Sequence, residues 1–168
     1  MLFNNHQPAL DRLARIPLFA ACTRRQLARV DRLSTELGIE PGYVMQRERD
    51  DASAFFVIVT GDASVSVDRR CTGHLRAGHF FGEVGLLDRG PNVTTVTATT
   101  PMDVVVFSRV EFRALLEVAP AAVITILRAH AAYVRPGRDL SAGEPCASTP
   151  RSSESPEVLE RTSSSSPA

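Results

Sequence analysis

Ser53–Asp68 reads SAFFVIVTGDASVSVD: a dense β-branched and aromatic run, then Gly61-Asp62, then a Ser-Val-Ser-Val alternation. Branched and aromatic side chains fit an extended, half-buried backbone, and a period of two places alternate residues on one face. The stretch therefore predicts a β-hairpin that turns at Gly61-Asp62, with a half-buried second strand. Working outward, LGIEPGYVMQ (37–46) holds a Pro41-Gly42 turn signal between two short strands. VTTVTATT (93–100) and MDVVVFS (102–108) read as two further strands. Short strands divided by Gly and Pro, with no long helix between them, point to an antiparallel sandwich or barrel.

Helical periodicity flanks this β region. In TRRQLARVDRL (23–33), Leu27, Val30 and Leu33 recur at helical spacing and Thr23 is placed to cap the N-terminus. Residues 8–33 as a whole read as helices, interrupted by the short apolar elbow IPLFAAC with its breaker Pro17. After Arg109 the period returns to 3.6 in VEFRALLEVAP, which Pro120 ends, and in AAVITILRAHAAYV. Ile124, Leu127, Ala131 and Val134 form one stripe of that last helix. The expectation is that the stripe packs on the barrel; the alternative is that it pairs with a copy of itself in a homodimer. The predicted fold is thus α+β and mainly β: an antiparallel, jelly-roll-like β-roll with helices before it and two helices after it.

At Pro136 the composition collapses. Residues 136–168 contain nine Ser and five Pro and almost no large apolar side chains. Such a segment does not bury enough surface to offset its ordering entropy. The expected organisation is one domain over residues 1–135 and a disordered tail over 136–168.

Bulk composition excludes several function classes. Of 168 residues, 43% are apolar, enough for a core. Lys plus Arg and Asp plus Glu number 19 each, so no net field draws the chain to nucleic acid or to an anionic membrane. Every one of those basic residues is Arg. Cys22, Cys71 and Cys146 are odd in number and far apart, which argues against a disulfide framework or a zinc site. No secretory h-region and no apolar run of about 20 residues is present, so a soluble, cytoplasmic chain without membrane contact is expected.

The stretch FFGEVGLLDRGPNVTT (80–95) carries the chemistry. Gly82 lets a ligand approach the backbone, and a helical turn after it would present amides without internal partners, which suit an anion. Glu83 would repel that anion unless it faced hydroxyl groups. A ligand with a phosphate beside a sugar hydroxyl meets both demands. A tight turn with a surface Glu is the plainer alternative from this stretch alone.

From about Leu13 to Val134 the order of motifs resembles the cyclic nucleotide-binding domain family. The resemblance is carried by RIPLFAACTRRQLARV, the Pro41-Gly42 turn and FFVIVTGDASVSV, then Gly78 followed by Phe81-Gly82-Glu83, and GPNVTTVTA. It implies a β-roll whose phosphate-binding cassette spans Gly82 to about Thr95. It further implies that Glu83 accepts from a ribose 2′-hydroxyl and that the amides of Gly82 and Gly85 face the ligand. The family's phosphate-binding Arg falls at Asn92, and the assisting amide at Val93. Gly85 stands where the family has Ala, and Arg49 where it has a turn Gly, a change expected to affect a loop alone.

Asn92 is the functional departure, being neutral and shorter than Arg. Losing a hydrogen bond to a charged group costs about 1.5–3 kcal/mol, roughly 10- to 150-fold in affinity. Arg89, three residues away, reads as a solvated loop residue. Two functions follow as expectations. One is a non-enzymatic sensor for cAMP or cGMP that uses no cofactor, acts on an effector protein in trans and carries the last helix as a lid. The other is a degenerate β-roll that serves as a protein-interaction module.

Rival chemistry is weaker. His79-x3-Glu83-x6-Gly90 imitates part of a cupin metal motif, but Ala77 stands where its first His belongs. No nucleophile motif, recognition helix or basic patch is present, so neither catalysis nor direct DNA binding is expected.

Overall fold

The computed structural model describes residues 7–133. The expected tail lies outside the described residues, as does the expected boundary at residue 135. Helices α1 (Gln7–Arg15) and α2 (Arg24–Leu33), joined by a 3₁₀ turn at Pro17–Phe19, precede the strands. Thr23 caps α2 reciprocally with Gln26: each side chain accepts from the other's backbone amide. Eight strands follow: β1 (Thr35–Ile39), β2 (Val44–Gln46), β3 (Ala54–Thr60), β4 (Asp62–Val67), β5 (Arg70–Arg76), β6 (Phe80–Phe81), β7 (Thr95–Ala98) and β8 (Met102–Ser108). A short helix α3 (Glu83–Asp88) lies between β6 and β7, and α4 (Arg109–Val118) and α5 (Pro120–Tyr133) close the fold.

The strands form two antiparallel four-stranded sheets, ordered β1-β8-β3-β6 and β2-β7-β4-β5. This corrects the hairpin reading of residues 53–68. β3 pairs with β8 and β6, whereas β4 pairs with β5 and β7 in the other sheet. Gly61 is the corner between them. Its φ is 87°, and a Cβ there would stand 2.4 Å from the Pro101 carbonyl oxygen. A single left-handed residue separates β3 from β4, too short a connection for a two-residue hairpin loop, and the chain turns a corner into the other sheet instead. The hairpin partner of β4 is β5, whose sequence RCTGHLR carries too little β-branched character to announce a strand.

The core has two compartments. Phe55, Val57, Val105 and Phe107 point from the first sheet toward the helices, where they meet Leu18, Phe19, Val30, Phe112 and Leu115. Ile58 and Val104 point the other way, into the space between the sheets, with Phe81, Val96, Ala98 and Met102. β3 is therefore covered on both faces, which is why its run is continuously apolar while β4 alternates. Phe55 packs on Phe112 with ring centroids 4.8 Å apart, tying the central strand to α4.

α5 is the second correction. Ala122 and Ile126 are buried against the roll, but Ile124 and Leu127 are 51% and 59% exposed and Ala131 is also exposed. Val134 lies outside the described residues. The expected stripe thus faces outward; the face of Ala122 and Ile126 is the one that docks, selected by packing against the core of the roll.

Candidate functional site

Residues 80–94 wrap one end of the roll around a cleft of about 380 Å³. Its walls come from β2, β4, β5, α3, the loop after α3, and α5 through His130. The polypeptide forms this cradle because β6 ends at Gly82, which is buried with φ 93°. A Cβ at Gly82 would stand 2.4 Å from the Ala54 carbonyl oxygen, so only glycine permits the turn into α3. Gly85, one turn into α3, is equally constrained: a Cβ there would stand 2.6 Å from the Ala52 methyl and 3.0 Å from the Gly90 and Pro91 carbonyl oxygens. The close approach of Ala52 gives the glycine at this position a packing role.

Glu83 is 9% exposed, on the first turn of α3. Burial raises its carboxyl pKa above the ordinary value of 4.5, while its own backbone amide and the charge of His130 pull it down. Its Oε1 lies 3.3 Å from His130 Nε2, an ion-pair distance without hydrogen-bond alignment. Its Oε2 has no partner. Among the described residues, Glu83 Oε2, Gln46 Oε1 and His130 Nε2 are the buried side-chain polar atoms without a hydrogen bond, and all three residues line this one cleft. Buried polar groups are nearly always paired, so three unpaired polar atoms gathered in one cavity give it the chemistry of a site for a polar ligand.

The second arm of the cradle is clamped from outside. Asn92 N donates to Asp50 O and Asn92 O accepts from Arg49 N, both at 2.8 Å, and Asp51 bridges to Pro91. The loop that carries Arg49 (φ 70°) is therefore fastened to the cassette by main-chain hydrogen bonds, which a glycine at that position would make equally. Asn92 and Val93 both line the cleft, Val93 half-exposed. Arg89 caps α3 in the left-handed region, is exposed and is absent from the lining. The structure thus brings together all five candidate residues: Gly82, Glu83, Gly85, Asn92 and Val93.

Gln46 and His130 were missed in the sequence. Neither sits in a motif, although a Gln ending an otherwise apolar strand was a weak signal. His79, the cupin-like histidine, is an exposed turn residue whose Nδ1 accepts from Arg76 N. No cluster of three or more metal-ligating side chains occurs among the described residues. No helix among them is long and apolar enough to cross a membrane.

Comparison with known proteins places this architecture. Residues 37–118 match the family model of the cyclic nucleotide-binding domain. A cAMP-dependent protein kinase regulatory subunit from Eremothecium gossypii is 36% identical over 122 residues, 70% of this chain and 25% of that protein. The chain thus spans about a quarter of that relative's length. A solved structure, Sp-2Cl-cAMPS bound to PKAR CBD2, superimposes with a TM-score of 0.68 at 21% identity, over 76% of this chain and 86% of the other. A mutant regulatory subunit of a cAMP-independent protein kinase A from Trypanosoma brucei, bound to cAMP in its A site, superimposes with a TM-score of 0.62 at 20% identity, over 78% and 50%. A two-sheet β-roll, a Phe-Gly-Glu cradle opening on one cleft and the match over residues 37–118 together make this chain a member of the cyclic nucleotide-binding domain family.

Proposed function

We propose that this domain is a non-catalytic regulatory module that binds a cyclic nucleotide, cAMP or cGMP, with reduced affinity. The observation that carries the reading is the orphaned Glu83 Oε2, buried and turned into a cleft that also holds two other unpaired polar atoms. In this reading Glu83 accepts from the ribose 2′-hydroxyl, and the amides of Gly82, Gly85 and Val93 face the phosphate. Asn92 supplies neutral donors where the family has an Arg, which weakens the phosphate contact.

The trypanosomal neighbour supports the weakening. Its three substitutions are spaced seven and one residues apart, as Gly85, Asn92 and Val93 are, and the middle one introduces an arginine. That protein is described as cAMP-independent, and the altered form is the one bound to cAMP.

Calorimetric titration of the full chain with cAMP and cGMP tests the reading. Dissociation constants on the order of micromolar to hundreds of micromolar are expected, and Glu83→Ala should abolish the heat. Absence of binding to both nucleotides favours the second reading, a protein-interaction module, for which the outward Ile124 and Leu127 of α5 offer an apolar contact. A homodimer through α5 would use that same face.

A further inference from the structure

We propose that Gln46 is a ligand-contacting residue of this cleft, and that it tunes the site toward an uncharged ribonucleoside over the corresponding 3′,5′-cyclic nucleotide. The proposal rests on the reading above that Glu83 holds a sugar hydroxyl, and departs from it at the phosphate.

Gln46 is the last residue of β2 and is 8% exposed. Its Nε2 donates to both the carbonyl oxygen and Oγ1 of Thr94, each at 3.1 Å. A backbone carbonyl only accepts, so the amide cannot be reversed, and Oε1 is fixed on the opposite side. There Oε1 is buried without a partner, 3.3 Å from where a Cβ on Gly82 would stand. A bare acceptor therefore lies between the two arms of the cradle, residues 82–85 and 92–94. That is the place where the family resemblance puts a phosphate.

The charges around it are wrong for an anion. The cleft lining contains the Glu83 carboxylate, the neutral Asn92 and no Arg; its cationisable groups are His74 and His130, and His130 faces Glu83. A phosphate oxygen set against Gln46 Oε1 would meet another acceptor, with no guanidinium to offset the contact. A hydroxyl in that position donates to Oε1 and completes it. Glu83 Oε2 and Gln46 Oε1, both unpaired in the lining of one cleft, together ask for two donors. A ribonucleoside offers its 2′- and 3′-hydroxyls side by side; in a 3′,5′-cyclic nucleotide the 3′-oxygen is esterified and has no proton to give. Leaving one buried acceptor unpaired costs roughly 5- to 150-fold in affinity.

The test is calorimetric titration of the full chain with adenosine and guanosine, their 3′-deoxy forms and their 3′,5′-cyclic monophosphates. For the preferred base, the nucleoside should bind about tenfold or more tighter than the cyclic nucleotide, and removal of the 3′-hydroxyl should weaken it about tenfold. In Gln46→Leu the nucleoside and its 3′-deoxy form should bind alike. The comparison in the unaltered chain stands even where that variant fails to fold. Cyclic nucleotide binding as tightly as the nucleoside, or a 3′-deoxy form binding as well as its parent, overturns the proposal while leaving the nucleotide-site reading intact. No binding by any of the six compounds overturns both.

Discussion

Gly85→Ala introduces the residue that the family resemblance implies at this position, yet the structure predicts that it destabilises this chain. Two effects oppose each other. Alanine in a helix gains about 1 kcal/mol over glycine. Against that, the new methyl would stand 2.6 Å from the Ala52 Cβ, and 3.0 Å from two carbonyl oxygens. Carbon atoms pack at about 3.5–4.0 Å, so α3 and the Ala52 segment must separate by roughly 1 Å. Neither side gives way easily. Ala52 is fully buried, its carbonyl accepts from the Arg109 guanidinium, and its neighbour Asp51 bridges to Pro91. Overpacking of this kind costs about 1–3 kcal/mol, and the rigidity of both partners puts the cost at the upper end. The net loss should be about 2 kcal/mol, read as a lower urea midpoint at unchanged slope. Ala52→Gly opens the space, so in that background the same substitution should recover most of the loss. A Gly85→Ala variant more stable than the parent would refute the packing argument.

Asn92→Arg should tighten cAMP binding by roughly tenfold or more, because the Asn92 backbone is already pinned by two hydrogen bonds and the new guanidinium would complete the phosphate contact; unchanged calorimetric affinity would mean that the cradle differs from its relatives by more than one residue. Glu83→Gln concerns pH. Burial raises the Glu83 pKa above 4.5, so the native state holds its proton more tightly and the parent loses stability as pH climbs from 4.5 through the raised value. The Gln variant, which mimics the protonated form, should therefore melt above the parent at neutral pH and close to it at pH 4.5, and a reversed gap in thermal melts would contradict burial as the leading cause. Ser108→Ala removes a reciprocal cap of α4, in which Ser108 Oγ accepts from Glu111 N and Glu111 Oε2 from Ser108 N; a loss of about 1 kcal/mol in chemical denaturation is expected.

Local chemistry was legible in the sequence wherever the signal is local. Thr23, Pro120 and the MDVVVFS run gave the α2 cap, the α4–α5 break and β8 because caps, imino acids and β-branched runs act within a few residues. Gly82 and Glu83 were read from one local segment, and the family resemblance supplied Gly85, Asn92 and Val93; one cleft gathers all five. What required the tertiary structure were relations between distant segments. Sheet membership is one, since nothing in FFVIVTGDASVSV says that Gly61 meets Pro101 and Met102 and turns the chain into the other sheet. Helix rotation is another, because an apolar stripe at Ile124 and Leu127 and an apolar face at Ala122 and Ile126 share the same period, and only packing against the roll selects between them. Gln46 and His130 complete the contrast. They reach the cradle from β2 and from α5, 48 residues from Thr94 in the first case, and their unpaired atoms exist only once those elements close around the same space.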